Sequence, residues 1–429
     1  MDPVAAFLNA SVWHGGLDDA AAILREHPEV AGSGIHAAAV LGDDAAVVRH
    51  LTADPASAAA KGGPRGWDPL TYLCFSKYLR LDGARSDGFV RAARALLDAG
   101  ASANSGFFEE DHHPEPEFES VLYGAAGVAH HAAVTRLLLE RGADPNDGEV
   151  AYHTPETYEN GAVRALVETG RLSPDTLATM LLRKHDWHDE DGARYLLDHG
   201  ADPNRFTAWG LTALHQAVRR DNSREMIELL LDHGADPRLE FQGLSAVVMA
   251  ARRGRGDLLA LFEQRGISVD LPGVDGVLAA CARGQAVAGP VELPDPGRLL
   301  AEFAGVGNAE GVRCLLDLGA DSGARFEEGD SYWGLAPGST ALHAAAWRLQ
   351  HETVKLLLAH GAPVNAMDAA GQTALDLAVK GCVDSYWSEM RSPESVEALL
   401  AAGASLDGVR YPSGYAEVDV LLARSGAKE

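Results

Sequence analysis

The chain has 429 residues, 46% of them hydrophobic and 23% charged, a balance with ample apolar surface to bury and no mark of wholesale disorder. Lysine and arginine total 36 against 62 aspartate and glutamate, a formal charge of -26, which excludes the broad positive footprint that phosphate backbones select and makes nucleic acid a poor partner. A single core stops growing at roughly 250 to 300 residues, so this length needs either several domains or a repeat array.

The opening MDPVAAFLNASVWHGG lacks both a basic stretch and a long apolar one, and nowhere does the chain approach the roughly 20 apolar residues that cross a bilayer. The expectation is a soluble, cytoplasmic, monomeric protein with no membrane contact. Four cysteines, Cys74, Cys281, Cys314 and Cys382, lie far apart with no CxxC pair. Neither a zinc knuckle nor a disulfide framework is expected, and Cys74 and Cys314 read as small core residues.

In chain order, residues 1–31 predict a capping helix pair, FLNASVWHGG and LDDAAAILREH, and SGIHAAAVLG opens the next helix at 33–42. A phrase then recurs: ALLDAGASAN ends at Asn104, LLLERGADPN at Asn146 and YLLDHGADPN at Asn204. LLLDHGADPR, CLLDLGADSG, LLLAHGAPVN and LLAAGASLD continue it, with weaker copies ALVETGRLS and LFEQRGISVD between. Leucines closing an apolar helical stripe, followed by glycine and Ala-Asp-Pro-Asn, describe a helix that stops and turns, with Gly100, Gly142, Gly170, Gly200, Gly234, Gly266, Gly319, Gly361 and Gly403 at the stop. The other half of the unit is GLTALHQAV (210–218), GSTALHAAAW (338–347) and GQTALDLAV (371–379). There Thr caps a helix start and small alanines allow close packing. YAEVDVLLARSGAKE reads as a closing helix.

The spacing of Gly200, Gly234 and Gly266 brackets the period of about 33 residues, and the ALH phrases are similar to the ankyrin signature T-P-L-H-x-A with Ala for Pro. The chain resembles an ankyrin-repeat protein over nearly its whole length, in roughly eleven units. That resemblance implies an all-α solenoid of antiparallel helix pairs with hairpin fingers, His215 and His343 tying one loop to the next, and function by binding a protein or ligand. It implies no activity and no cofactor.

The pattern has irregularities. Finger insertions at 105–120 and 323–339 carry aromatic and acidic residues, and 76–88 and 381–395 separate paired helices. TPETY puts Pro155 where TALH would stand, and the prolines of 276–297 deny a normal second helix. These zones suggest three blocks, 1–146, 147–297 and 298–429.

Aligned on the ALH motif, the residues before each inter-helix turn fall, by the family's geometry, on a concave groove. They run from Trp13 and His14 through Val40, Leu41 and Phe75 to Arg183, Lys184, Arg219, Arg220, Arg252, Arg253, Trp347, Arg348 and Lys380. An Arg-rich stretch inside so acidic a chain points to an acidic peptide or protein segment, since guanidinium forks match carboxylates. Phe75, Trp209, Trp333 and Trp347 are the candidate apolar anchors. The opposing expectation is that these arginines pair with finger acids such as Glu240, Glu327, Glu328 and Asp330, and that finger aromatics extend the core.

A second reading takes the inserted loops as an enzyme pocket, resting on EEDHHPEPE (109–117) and HDWHDED (185–191), where His185 and His188 stand three apart in what reads as a loop. A third is an inhibitor that sequesters its partner.

Overall fold

A computed structural model describes residues 2–109, 115–287, 289, 291–385 and 391–428. The chain is mostly helical, as the pattern predicts, with strands in short two-stranded antiparallel hairpins. These are β1 (Gly106–Glu109) with β2 (Glu117–Ser120), β3 (Glu240–Phe241) with β4 (Leu244–Ser245), and β5 (Arg325–Phe326) with β6 (Ser339–Thr340). The first and third occupy the two finger insertions. No helix among the described residues is long and apolar enough to cross a membrane.

Contacts divide the chain into two compact units, one running to Asn222 and including Leu229–Ala235, the other made of Ser223–Glu228 with the residues from Asp236 onward. The division falls inside the 147–297 block rather than at its ends. In the first unit helices follow one another in pairs: Ile35–Leu41 with Asp44–Ala53, Pro69–Cys74 with Ser86–Asp98, Gly148–His153 with Gly161–Val167, Pro174–Asp186 with Glu190–Asp198. The second repeats this with Ala246–Arg252 and Gly256–Gln264, Pro296–Gly305 and Ala309–Asp317, Ala341–Trp347 and His351–Ala359, and Ala374–Val383 and Glu394–Ala401.

Helix starts are fixed by side-chain caps. Thr212 Oγ1 lies 2.7 Å from His215 Nδ1 and Thr340 Oγ1 2.8 Å from His343 Nδ1, so each ALH histidine closes a reciprocal cap at its own helix start. His343 Nε2 also meets the Gln372 carbonyl at 3.1 Å, the loop-to-loop tie that the motif predicts. Alanines 37–39 and 344–346 are at most 1% exposed, so the first helices of neighbouring pairs approach closely.

Helix stops behave as uniformly. All nine phrase glycines have φ between 65° and 102°, a left-handed conformation that glycine reaches without Cβ strain. The asparagine after the stop does what the phrase alone did not disclose. Asn146 Nδ2 donates to the Arg171 carbonyl at 3.1 Å while its Oδ1 accepts from Ser173 N at 2.6 Å, and Asn104 does the same to Gly142 and Asp144. Asn365 spans the turn at Gly403 and Ser405 in the same way. Each such asparagine stitches its own turn to the next repeat's.

Four expectations are corrected. Pro155 does not stand at a helix start: the helix is Gly148–His153, because the Asp147 carboxylate accepts from Glu149 N at 2.9 Å and so caps it ahead of the proline. His185 is not in a loop but in the last turn of Pro174–Asp186, fully buried. Cys314 is no isolated core residue, and the exclusion of disulfides fails. Cys281 and Cys314 are bonded, with Cα atoms 5.4 Å apart, because both lie on helices of neighbouring repeats, whereas Cys74 and Cys382 are free. Phe75 is 1% exposed, with Trp13 and Phe107 against it at 5.1 Å and Trp67 and Tyr123 at 5.9 Å, so it is a core residue and not an anchor open to a ligand. The broken repeat holds as expected: Gly273–Ala282 has no second helix among the described residues of 283–295.

Candidate functional site

Sequence-marked residues converge most closely in the second unit. Phe326 on β5, with Trp333 and Leu335 from the 323–339 finger, packs on Ala301, Ala344, Trp347 and Leu377 of three successive first helices. These aromatics therefore extend the core, with Phe326 4% and Trp333 6% exposed. Between finger and helices lies a narrow concavity with room for little more than a water molecule, lined among others by Arg253, Glu302, Asp330, Trp333 and Arg348.

Each lining side chain is held. The Arg348 guanidinium lies 4.1 Å from the Trp333 ring centroid, and Trp347 Nε1 donates to the Trp333 carbonyl. Arg253 Nη1 is 2.8 Å from Glu302 Oε2, with both side chains about nine-tenths buried, and Arg298 stands 3.7 Å from the other oxygen of Glu302. Asp330 accepts from Tyr332 N and Trp333 N at 3.0 and 3.2 Å, which fixes the turn that presents the ring. Two guanidiniums, two carboxylates and an indole face are thus fixed around one cleft. Lys380 sits 5.2 Å from the Trp347 ring, and Arg252 pairs with Asp275 at 2.7 Å.

In the first unit Arg183, Arg219 and Arg220 end successive first helices as aligned. Arg183 bridges Glu156 and Asp186 and lies 3.9 Å over the Tyr152 ring, while Arg220 reaches Asp186 at 2.6 Å. Trp209, 47% exposed, leans toward Tyr152 at 5.5 Å. His153 meets Glu149 at 3.2 Å and Glu156 at 3.0 Å. Burial alone would lower its imidazole, yet the two carboxylates prevail and raise it to about 9. Asp186, Asp275 and Glu302, which pair with Arg220, Arg252 and Arg253, come from neighbouring first helices. Asp186, Glu156 and Glu302 escaped the sequence analysis, and the signal that could have found them is an acid one repeat away from each groove arginine.

The proposed metal-binding histidines do not assemble. His185 Nδ1 is 2.8 Å from Asn222 Oδ1, and burial pushes the ring down to about 4. His188 lies beyond the helix end, 3.3 Å from the Asn222 amide. His112 and His113 lie outside the described residues. Among the described residues no group of three His, Cys, Asp or Glu could hold a metal ion.

Residues 184–272 and 300–408 match the family described as Ankyrin repeats, in three copies. No curated protein matches the chain.

Proposed function

We propose that the match to ankyrin repeats extends to function, and that this chain is an interaction module whose second unit seats an acidic side chain of a partner polypeptide in the Arg253–Trp333–Arg348 cleft. Ankyrin repeats generally mediate protein–protein interaction. One observation supports the placement: three residues marked by sequence, 95 positions apart at the extremes by their numbers, meet at one concavity. A guanidinium set on an indole face is geometrically matched to a carboxylate, and apolar walls limit the water that competes. The Arg253–Glu302 pair supports the arrangement from below. Removing Arg253 would strand a buried carboxylate at about 3–5 kcal/mol, so Arg348 is the residue to vary.

The test is retention on immobilised peptides of acidic and of neutral composition. Wild type should retain acidic members, and Arg348→Glu should weaken them at least tenfold, about 1.4 kcal/mol, with unchanged circular dichroism. Equal retention of both classes by both proteins would refute the reading. Sequestration of a partner enzyme would use the same contacts and differs only in the partner's loss of activity on binding.

A further inference from the structure

In the second unit the helix of the broken repeat is held in an unusual way. Gly273–Ala282 packs on Ala246–Arg252 and on Ala309–Asp317, and the described residues of 283–295 add no second helix to support it. Leu278, Ala279, Cys281 and Ala282 are buried, yet the connection that follows is exposed or half-exposed throughout the described residues of 284–295. A helix in a nearest-neighbour stack without its own partner has lost part of its support. The Cys281–Cys314 bond takes that place, joining its last turn to the second helix of the next pair. Its remaining polar anchors are the partly exposed ion pairs Arg252–Asp275 and Arg283–Glu263, at 2.7 and 2.6 Å, and contacts of that class add little singly.

Beside the bond lies a junction of main-chain carbonyls. Asn308 Nδ2 donates to the Gly254 carbonyl at 2.6 Å and to the Ala282 carbonyl at 2.7 Å. Its Oδ1 accepts from Gly311 N at 2.8 Å and so caps Ala309–Asp317. One side chain therefore joins three helices: Ala282 follows Cys281, Gly254 follows Arg253, and the capped helix carries Cys314. The Ala282 carbonyl also comes so near Gly256 that a Cβ there would stand 2.0 Å from it, an approach that glycine alone permits. From sulfur to groove arginine the path runs through adjacent residues and one amide.

We propose that Cys281–Cys314 is a reversible redox latch on this junction. Oxidised, it clamps the end of Gly273–Ala282 onto Asn308 and so fixes the Gly254 turn that positions Arg253. Reduced, it lets that helix open locally and loosens the turn. Cys281 is fully buried and Cys314 half-buried, with the Cys314 Sγ 3.8 Å from the carbonyl of exposed Gln285. A thiolate of a glutathione-class monothiol therefore attacks the Cys314 Sγ, the S–S bond breaks, and Cys281 leaves as a thiolate and takes up a proton. A second thiolate attacks the mixed disulfide, and Cys314 leaves and is protonated in turn. Two monothiols thus deliver two electrons and two protons and depart as their own disulfide, which reverses the steps when it is in excess. The effect on ligand affinity rests on the reading of the Arg253–Trp333–Arg348 concavity as a binding site; the latch itself does not.

The experiment is hydrogen exchange of the full chain, read by mass spectrometry after equilibration with reduced or with oxidised glutathione, with free thiols counted by alkylation. Reduction should speed exchange about tenfold or more over 273–287 and over 253–259 while leaving 1–222 unchanged. Return to oxidised glutathione should restore slow exchange. Cys281→Ser combined with Cys314→Ser should exchange like reduced wild type in both buffers. Asn308→Ser keeps an oxygen to cap its helix but is too short to reach the two carbonyls, so reduction should then act on 273–287 and no longer on 253–259.

Acidic peptides should be retained several-fold more tightly by the oxidised chain. Loss of retention in both states, with the exchange difference intact, refutes the concavity as a binding site and upholds the latch. Equal exchange in the two states, or thiols that form only when the whole unit unfolds, overturns the latch. Equal peptide affinity in the two states overturns its coupling to Arg253.

Discussion

At the scale of single residues, charge placement governs pH response. His153 binds its proton more tightly folded than unfolded, so the stability it contributes is complete below its ordinary value of 6.5 and is lost as pH rises through about 9. His153→Gln should therefore flatten the fall in thermal midpoint between pH 6.5 and 9, and an unchanged slope would show that the Glu149–His153–Glu156 chain does not act on stability. The positions of Arg183, Arg220, Arg253 and Arg348 were legible because helix-end residues recur in register with the ALH phrase. Their partners were not. Glu156 and Asp186 contact arginines 27 and 34 residues away, a pairing that depends on how adjacent helices face each other. Phe75 was misjudged for the same reason: the rings of Trp13, Trp67, Phe107 and Tyr123 that surround it come from other segments.

At the scale of elements, stability resides in the stitching of one repeat to the next. Asn146→Ala would remove the acceptor of Ser173 N and Thr176 Oγ1 and the donor to the Arg171 carbonyl. The expected cost is about 1–2 kcal/mol, measured as a lower denaturant midpoint, and Asn104→Ala should act in the same direction but less, because it loses only the bonds to Gly142 and Asp144. Helix stops were legible to the residue, since glycine followed by Ala-Asp-Pro-Asn has a single mechanical meaning. Helix starts were less so at Thr154-Pro155, where a Thr-Pro pair resembles a cap and first turn. Asp147 had already taken that role about two turns earlier, and two competing caps cannot be ranked without knowing which faces the core. The same limit hid the helical setting of His185, whose polar neighbours mask a ring buried against Asn222.

At the scale of the whole chain, the repeat phrase and the charge excess were visible at once, whereas the division near 222–236 left no mark because the phrase runs through it unbroken. The disulfide was equally hidden. Cys281 and Cys314 share no motif and meet because they are 33 residues apart, close to one repeat period, so stacking brings equivalent levels together. Closing that loop should stabilise the oxidised chain by up to about 4 kcal/mol. Reduction, or Cys281→Ser, should lower the unfolding midpoint of the second unit, and thiol titration of unfolded protein should rise from two groups to four on reduction. Equal midpoints with and without reductant would show that the bond adds no stability. The bond also spans the place where Gly273–Ala282 lacks a second helix, which is where a nearest-neighbour stack is weakest. Under tension, such a chain would extend by its full contour except for the looped segment. Cys281 and Cys314 hold roughly 110 Å of slack, at about 3.5 Å per residue, that is released only when the thiols are reduced, so the molecule's reach under load is itself set by the redox state around it.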